Sequence, residues 1–355
     1  MKINLFCRMT QSGVGRHAQY LYDNLREMRA DVRHVDLDDK NAMAKAIIEA
    51  MPNDRTLFFL TQDPKLLQMI RGKKILWCAF ESDHIPKRLL ALMDAFDEVW
   101  ALTQWGQRVM IDSGLPQAKT KTVLEGVDAK IYAPNPRAHA GFVFLSVAKY
   151  EKRKGIDELI QAFTQEFPAA HYPDVCLKLK ADFPLFPERQ TELKTKTAND
   201  SRIKIIEGYA NDEDMAALYN AADAFVFPSR AEGFGLPCLE ALFCGLPAIA
   251  THYSGQTEYL NYIPDLFLPI DHELENIEDK DFDYFYKDLY AGEPYGHWAK
   301  PNVDSLRQSM RQVYEAKEMW KEKALTASRI VRDVFDWKKT AEKTLAELEK
   351  NEAAR

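Results

Sequence analysis

Cysteine is scarce in this chain: five in 355 residues, at positions 7, 78, 176, 238 and 244, with no Cys-x-x-Cys pair. A scattered, odd-numbered set in mostly apolar surroundings excludes a disulfide framework and a thiolate zinc site; these read as reduced core residues. Also lacking is any apolar run long enough to span a membrane. The N-terminus enters KINLFC without a basic lead or a small-residue cleavage site, so neither a signal peptide nor a membrane helix is expected and the cytoplasm is the default. The sequon at Asn199 is then idle. There is no basic excess: Lys and Arg number 47 against 54 Asp and Glu, a formal net charge of -7. A nucleic-acid binder needs a concentrated positive face, and that class is excluded. Charge is uneven, with 20 Lys and Arg against 17 Asp and Glu up to residue 137 and 27 against 37 beyond it. Within the positive half, RGKKI (71–75) and PKRLL (86–90) have the charge to touch anionic headgroups. Solvated surface is their simpler reading.

Apolar and charged residues are plentiful, 46% and 28%, and no low-complexity tract interrupts them, so the chain is globular throughout. Its length exceeds what one core usually serves and predicts two domains. Short β-rich runs (INLFC, DVRHVDL, TLFFL, KILWCAF and EVWAL, then FVFLSVA, VCLKLKA, IKIIEG, AFVFP and PAIAT) alternate with amphipathic stretches such as GRHAQYLYDNLREM, KGIDELIQAFTQEF and DEDMAALYNAA. Such alternation means βαβ units and parallel sheets. It starts afresh at Phe142, after YAPNPRAHAG (132–141), whose Pro and small residues mark an inter-domain linker. The expected fold is α/β: two Rossmann-like domains facing a central cleft, then C-terminal helices, with ligands beyond the carboxyl ends of the strands. The expected division is 1–135, 136–330 and a last helix, 331–355, that packs back on the first domain.

GVGRHA (Gly13–Ala18) fits the Gly-x-Gly-x-x-Gly/Ala dinucleotide fingerprint, and Asp36 follows about 20 residues on, which keeps an NAD-dependent dehydrogenase in play. Against it, RMTQS intervenes after Cys7, where the fingerprint's first glycine should follow the strand directly. Two Asp-x-Asp triplets, Asp36–Asp38 and Asp281–Asp283, have the shape of a divalent-metal site. Such triplets are common by chance, and no metal site is assigned to them.

The stretch AEGFGLPCLEAL (231–242) says more. Glu232 and Glu240 flank Gly233, Gly235 and Pro237, just after the apolar AFVF and Pro228. The glycines remove a side-chain wall, so backbone N–H groups of Phe234, Gly235 and Leu236 can approach an anion, and the helix starting near Pro237 points its positive end there. That is a diphosphate seat. Glu240, about one turn into the helix, can accept two hydrogen bonds from a vicinal diol such as a ribose, and Glu232 can take the hydroxyls of another ring. The plainer alternative is a capped helix start with Glu232 complementing the dipole and Glu240 solvated. Weighing against it, SVAKYEKRKGIDELIQAF places Lys149 and Lys154 on a loop after the second series' first strand, where they can hold phosphates. Lys152 and Arg153 read as solvated charge.

Together these segments resemble the retaining nucleotide-sugar glycosyltransferases of family 4, which have the GT-B fold. The resemblance covers nearly the whole chain: SGVGRHAQYLYDNL, EVWALTQWGQRVMIDSG, LEGVD, KYEKRKG, GYANDEDMAALYNAADAFVFPSRAEGFGLPCLEAL and a late FDW. It implies a retaining hexosyltransferase of polysaccharide biosynthesis, moving a sugar from a nucleotide-diphosphate donor to a glycan or lipid-linked hydroxyl, with no cofactor and no metal. It also implies that Glu240 binds the donor ribose, Glu232 the transferred sugar, and the backbone of Phe234, Gly235 and Leu236 the sugar and diphosphate. Lys149 and Lys154 match the family's pyrophosphate-neutralising pair. The first of these is usually arginine, so Lys149 keeps the charge but loses bidentate geometry. Gly13 and Gly15 would sit across the cleft near the donor, and Gly208 and Tyr209 near the base. The family's first-domain histidine corresponds to His84 in FESDHIP, with Glu81 on the same loop as the other candidate. As plain readings, His84 is a polar loop residue and Glu81 a capping acid. The implied setting is cytoplasmic, peripheral to the inner face of the membrane. A dehydrogenase leaves the second glycine site unexplained, and a non-catalytic sugar-nucleotide-binding protein leaves both glutamates and both lysines unexplained.

Overall fold

The computed structural model describes residues 1–350 apart from 11–12, 61, 182–186, 209, 282–286 and 291. The chain forms two compact units: Met1–Gly126 with Ile277–Gly296 and Phe335–Arg355, and Val127–Asn276 with His297–Val334.

In the first unit the order is β1 (Ile3–Cys7), α1 (Gly13–Glu27), β2 (Val32–Asp36), α2 (Lys40–Glu49), β3 (Arg55–Phe58), α3 (Pro64–Met69), β4 (Lys73–Cys78), α4 (Lys87–Asp94), β5 (Glu98–Ala101), α5 (Gln104–Asp112) and β6 (Thr120–Thr122). The strands pair in parallel as β2-β1-β3-β4-β5-β6. Every residue of β1, β3 and β5 is buried, as a parallel sheet covered on both faces requires. Phe6, Phe58 and Phe96 belong to one core cluster, and Leu5, Trp77, Trp100 and Trp337 to another.

The second unit runs β7 (Phe142–Val147), α6 (Ile156–Glu166), β8 (Val175–Lys180), α7 (Pro187–Thr197), β9 (Ile203–Ile206), α8 (Asp212–Tyr219), β10 (Ala224–Phe227), α9 (Leu236–Phe243), β11 (Ala248–Thr251), α10 (Thr257–Leu260) and β12 (Leu268–Ile270). Its parallel order is β12-β11-β10-β7-β8-β9, so strand order reverses between β7 and β10. An antiparallel pair follows, β13 (His272–Asn276) with β14 (His297–Pro301); between its strands the chain passes through the first unit, where it forms α11 (Lys287–Tyr290). Helices α12 (Val303–Glu315) and α13 (Lys317–Val334) belong to the second unit and α14 (Trp337–Glu349) to the first, where it packs on α1.

All the strands expected from the sequence form. Four strands are additions: the antiparallel pair β13 and β14, and the three-residue sheet edges β6 and β12, of which β12 contains Pro269, which suits an edge and leaves no alternating pattern to read. A linear division at residues 135 and 330 has no place for the excursion of 277–296. Nor is 132–141 the crossing point: the chain crosses at Gly126 and Val127. The Pro-rich stretch instead lies on the second unit, with Tyr132 buried and the N–H groups of Asn135 and Arg137 donating to the side chain and carbonyl of Asn220 at 2.6 and 2.8 Å. A segment without a ladder of its own satisfies its backbone there. All five thiols are free, and burial pushes those of Cys78 and Cys238 up to about 12. Among the described residues no helix is long and apolar enough to cross a membrane.

Candidate active site

In a doubly wound sheet, ligands bind beyond the carboxyl ends of the strands where strand order reverses. In the second unit those ends are β7 and β10, which release the loops 148–155 and 228–235. Glycine locks the two together. Gly155 caps α6 at φ +66, and a Cβ on it would stand 2.1 Å from the carbonyl oxygen of Pro228, an approach closed to any other residue. Arg230 clamps the same junction: its N–H donates to the Arg153 carbonyl at 2.7 Å, and its buried guanidinium reaches Glu158 at 2.5 Å, Glu275 at 2.8 Å and the Lys152 carbonyl at 2.6 Å. Burial works against that charge, but Glu158 and Glu275 prevail and raise the guanidinium's pKa. The loop after β11 joins them. The Glu232 N–H donates to Ser254 Oγ at 2.8 Å, the Gly255 N–H donates to the Glu232 carbonyl at 2.9 Å, and a Cβ on Gly255 would meet the Gly233 carbonyl at 2.3 Å.

Three strand-end loops thus interlock around Glu232, which is 4% exposed. Lys154 Nζ donates to its Oε1 at 2.6 Å, Arg153 Nη1 to its Oε2 at 3.3 Å, and the Ser229 hydroxyl also donates to Oε1. Burial alone would raise the carboxyl's pKa, but Lys154 and Arg153 outweigh it and hold the group below its ordinary 4.5, so it is ionised at neutral pH. Arg153 is therefore not solvated charge: its side chain is 13% exposed, and it also donates to the Ala231 carbonyl and to Glu151, each at 2.8 Å. Lys152 does lie outward, 39% exposed. Lys149 is exposed on the same loop and, among the described residues, makes no ion pair.

Gly235, at φ +88, caps α9, and the Tyr259 hydroxyl donates to its carbonyl at 3.0 Å. Among the described residues the N–H groups of Gly235 and Leu236 donate to nothing. Both lie where a helix start leaves donors over and concentrates positive potential. Phe234 is buried, its ring 5.7 Å from that of Tyr259. Glu240 is no solvated helix acid: it is 2% exposed and accepts from the Tyr219 hydroxyl at 2.7 Å. Gly208, at φ +86, is exposed, and its carbonyl accepts from the buried Lys180 ammonium at 2.7 Å. Tyr209 lies outside the described residues.

The remaining candidates belong to the first unit. Gly13 opens α1 in the open, whereas Gly15 is buried, its Cβ position 2.1 Å from the Thr10 carbonyl oxygen, so Thr10 lies against the helix start. His84 follows β4, with Nε2 3.8 Å from Glu293 Oε2 and its carbonyl accepting from the Tyr290 hydroxyl at 3.4 Å. Glu81 on that loop is exposed. Asp36 and Asp38 are also exposed: Asp38 pairs with Arg8 at 2.7 Å, and Asp36 accepts from the Asp38 N–H at 2.9 Å. Of the second triplet, Asp283 lies outside the described residues. Among the described residues no group of three or more His, Cys, Asp and Glu is placed to hold a metal ion. Sequence reasoning passed over Arg153, Ser229, Ser254 and Tyr219. The signals were faint: a serine directly after AFVFP, and a Ser-Gly pair after PAIAT.

Two parallel sheets, the second with an anion-ready switch point, define a protein of the double-Rossmann class. Residues 128–262 match the family model described as glycosyl transferases group 1. The serotype-specific mannosyltransferase WbdA of Escherichia coli is 35% identical across 153 residues, 41% of this chain and 18% of WbdA. The chain thus spans about a fifth of the length of that curated relative. Among solved structures, sucrose-phosphate synthase of Thermosynechococcus elongatus aligns over 100% of both chains with a TM-score of 0.73 at 15% identity. HepE of Anabaena, solved with UDP and glucose, aligns over 99% of this chain and 100% of its own with a TM-score of 0.72 at 18% identity. The fold is GT-B. Through the matched region the chain is similar to the group 1 glycosyl transferases.

Proposed function

We propose that this protein is a retaining glycosyltransferase that moves a hexose, mannose foremost, from a nucleotide-diphosphate sugar to a hydroxyl of a glycan or lipid-linked acceptor. The observation that carries this is the charged, buried Glu232 between Lys154 and Arg153, beside the N–H groups of Gly235 and Leu236 at the helix start. It lies within the region matched by the family, and the name of WbdA favours mannose. In this reading the second unit takes the donor and the first the acceptor. Glu240, held by Tyr219, accepts the ribose hydroxyls, and ionised Glu232 accepts those of the transferred sugar.

As the glycosidic bond breaks, the departing diphosphate gains charge. Lys149, Lys154 and the two N–H groups then stabilise the transition state more than the ground state, and no metal is required. An inverting enzyme needs a general base on the face opposite the leaving group. The donor-side residues are cations, N–H groups and a carboxylate that accepts the transferred sugar's own hydroxyls, so the acceptor's proton passes to the leaving phosphate oxygen on the same face. His84 or Glu81 assists by stabilising positive charge on the sugar. The setting is the cytoplasm, peripheral to the inner membrane face.

Turnover of a donor panel that includes GDP-mannose and UDP-glucose, with proton NMR of the product's anomeric coupling, tests the proposal. An α-linked product from an α-linked donor is expected. A β product refutes the mechanism, and an α product with His84→Ala fully active removes only the histidine.

A further inference from the structure

Glu232 is held from two directions by two cations that stand in different situations. Lys154 reaches Oε1 at 2.6 Å with a flexible stem and a single ammonium. Arg153 reaches Oε2 and is tied down elsewhere: Nη1 also donates to the Ala231 carbonyl, Nη2 donates to Glu151, and the Arg153 carbonyl accepts from the Arg230 N–H. These two are the charged groups with the largest effect on the carboxylate. Neutral groups face it as well: Ser229, Cys238 on α9, and Tyr259 on α10, the last two kept protonated because burial raises both.

A diphosphate competes for Lys154. Each ammonium donor that turns to a phosphate oxygen leaves Oε1 with less compensation, and a carboxylate as buried as this one takes up a proton when its counter-charge leaves. Protonated, it would lose acceptor capacity at the moment a sugar hydroxyl needs it. The guanidinium is always charged, is anchored to backbone and carries no torsional freedom within its fork. We infer that Arg153 is the positioning residue of Glu232, holding that carboxylate charged and in place while Lys154 is engaged by the donor's diphosphate. This rests on the donor-binding role proposed above for Lys154.

The variants Arg153→Met and Arg153→Lys in the full chain test it, with UDP, GDP and inorganic pyrophosphate as binding probes and pH profiles of turnover. In Arg153→Met the acid limb of kcat should move up by about one pH unit or more, a tenfold or greater change in the carboxyl's proton affinity. The acid limb of kcat/KM should move less, because that quantity reports the free enzyme, in which Lys154 still serves Glu232. Nucleoside diphosphate affinity should stay within about twofold, and Arg153→Lys should restore most of the profile. A purely structural role would move both limbs together or neither, and either result overturns the inference. So does a fall in diphosphate affinity as large as that of Lys154→Ala, which would make Arg153 a phosphate ligand. Should the variants fail to fold, difference infrared titration of the wild-type carboxylate, with Glu232→Gln as the blank, decides the same point. Saturating diphosphate should leave Glu232 ionised at neutral pH, and protonation on binding overturns the inference. If none of the three probes binds, the donor-site reading falls and takes this with it; if they bind and the limbs do not separate, only this inference falls.

Discussion

Replacing Lys154 by methionine keeps the stem of the side chain and removes the ammonium that meets Glu232 at 2.6 Å. The two side chains are 12% and 6% exposed, so solvent screens the pair little. Removing one partner of a buried pair costs about 3–5 kcal/mol when nothing else compensates the charge left behind. Here Arg153 and Ser229 remain on the carboxylate, so the loss should be nearer that of a hydrogen bond to a charged group, about 1.5–3 kcal/mol. A loss of ~2 kcal/mol lowers the melting temperature of a domain this size by roughly 4–8 °C. The pH dependence gives the sharper check. The Glu232 pKa in the folded protein lies below its ordinary 4.5, because Lys154 and Arg153 outweigh burial. Its stabilisation is therefore complete above the unfolded value and is lost as pH falls through the lower, folded one. The gap in melting temperature between wild type and Lys154→Met should be full near neutrality and narrow steadily once the pH drops below 4.5. Scanning calorimetry at several pH values measures it. A gap that does not change with pH, or no gap at all, would refute the ion-pair reasoning. The same variant should lower kcat more than it raises the donor KM.

Glu240→Ala should weaken donor and nucleotide binding by about 1–3 kcal/mol, and unchanged affinity by calorimetry on the folded variant would remove Glu240 from the ribose site. Activity should persist in excess EDTA; loss that returns with manganese or magnesium would revive Asp36 and Asp38 as metal ligands. Gly155→Ala combines a positive φ with a Cβ 2.1 Å from the Pro228 carbonyl, so the β7 and β10 loops must separate. It should destabilise by about 1–3 kcal/mol for the backbone strain alone and reduce diphosphate binding, and wild-type melting with wild-type binding would show that the junction is not rigid.

Much of this protein is local and therefore legible in one dimension. Strand and helix periods, and the place where they restart at Phe142, carry the doubly wound reading. Gly235 and Pro237 mark a helix start with spare N–H groups, because a left-handed residue and an imino acid each announce their backbone conformation by type. What pattern cannot carry is which charge meets which. Glu232 lies 78 and 79 residues from Lys154 and Arg153, and a run reading KRK offers no local reason for its first member to face solvent while the other two turn to a buried carboxylate. That choice comes from the adjacency of β7 and β10 in the sheet and from Gly155 lying against Pro228, which bring two loop ends together and shield them from water. The crossing at Gly126 and the excursion of 277–296 are of the same kind. Backbone propensity determines what each segment becomes, whereas the free energy of burying one surface against another, set only once the sheets have formed, determines where it goes.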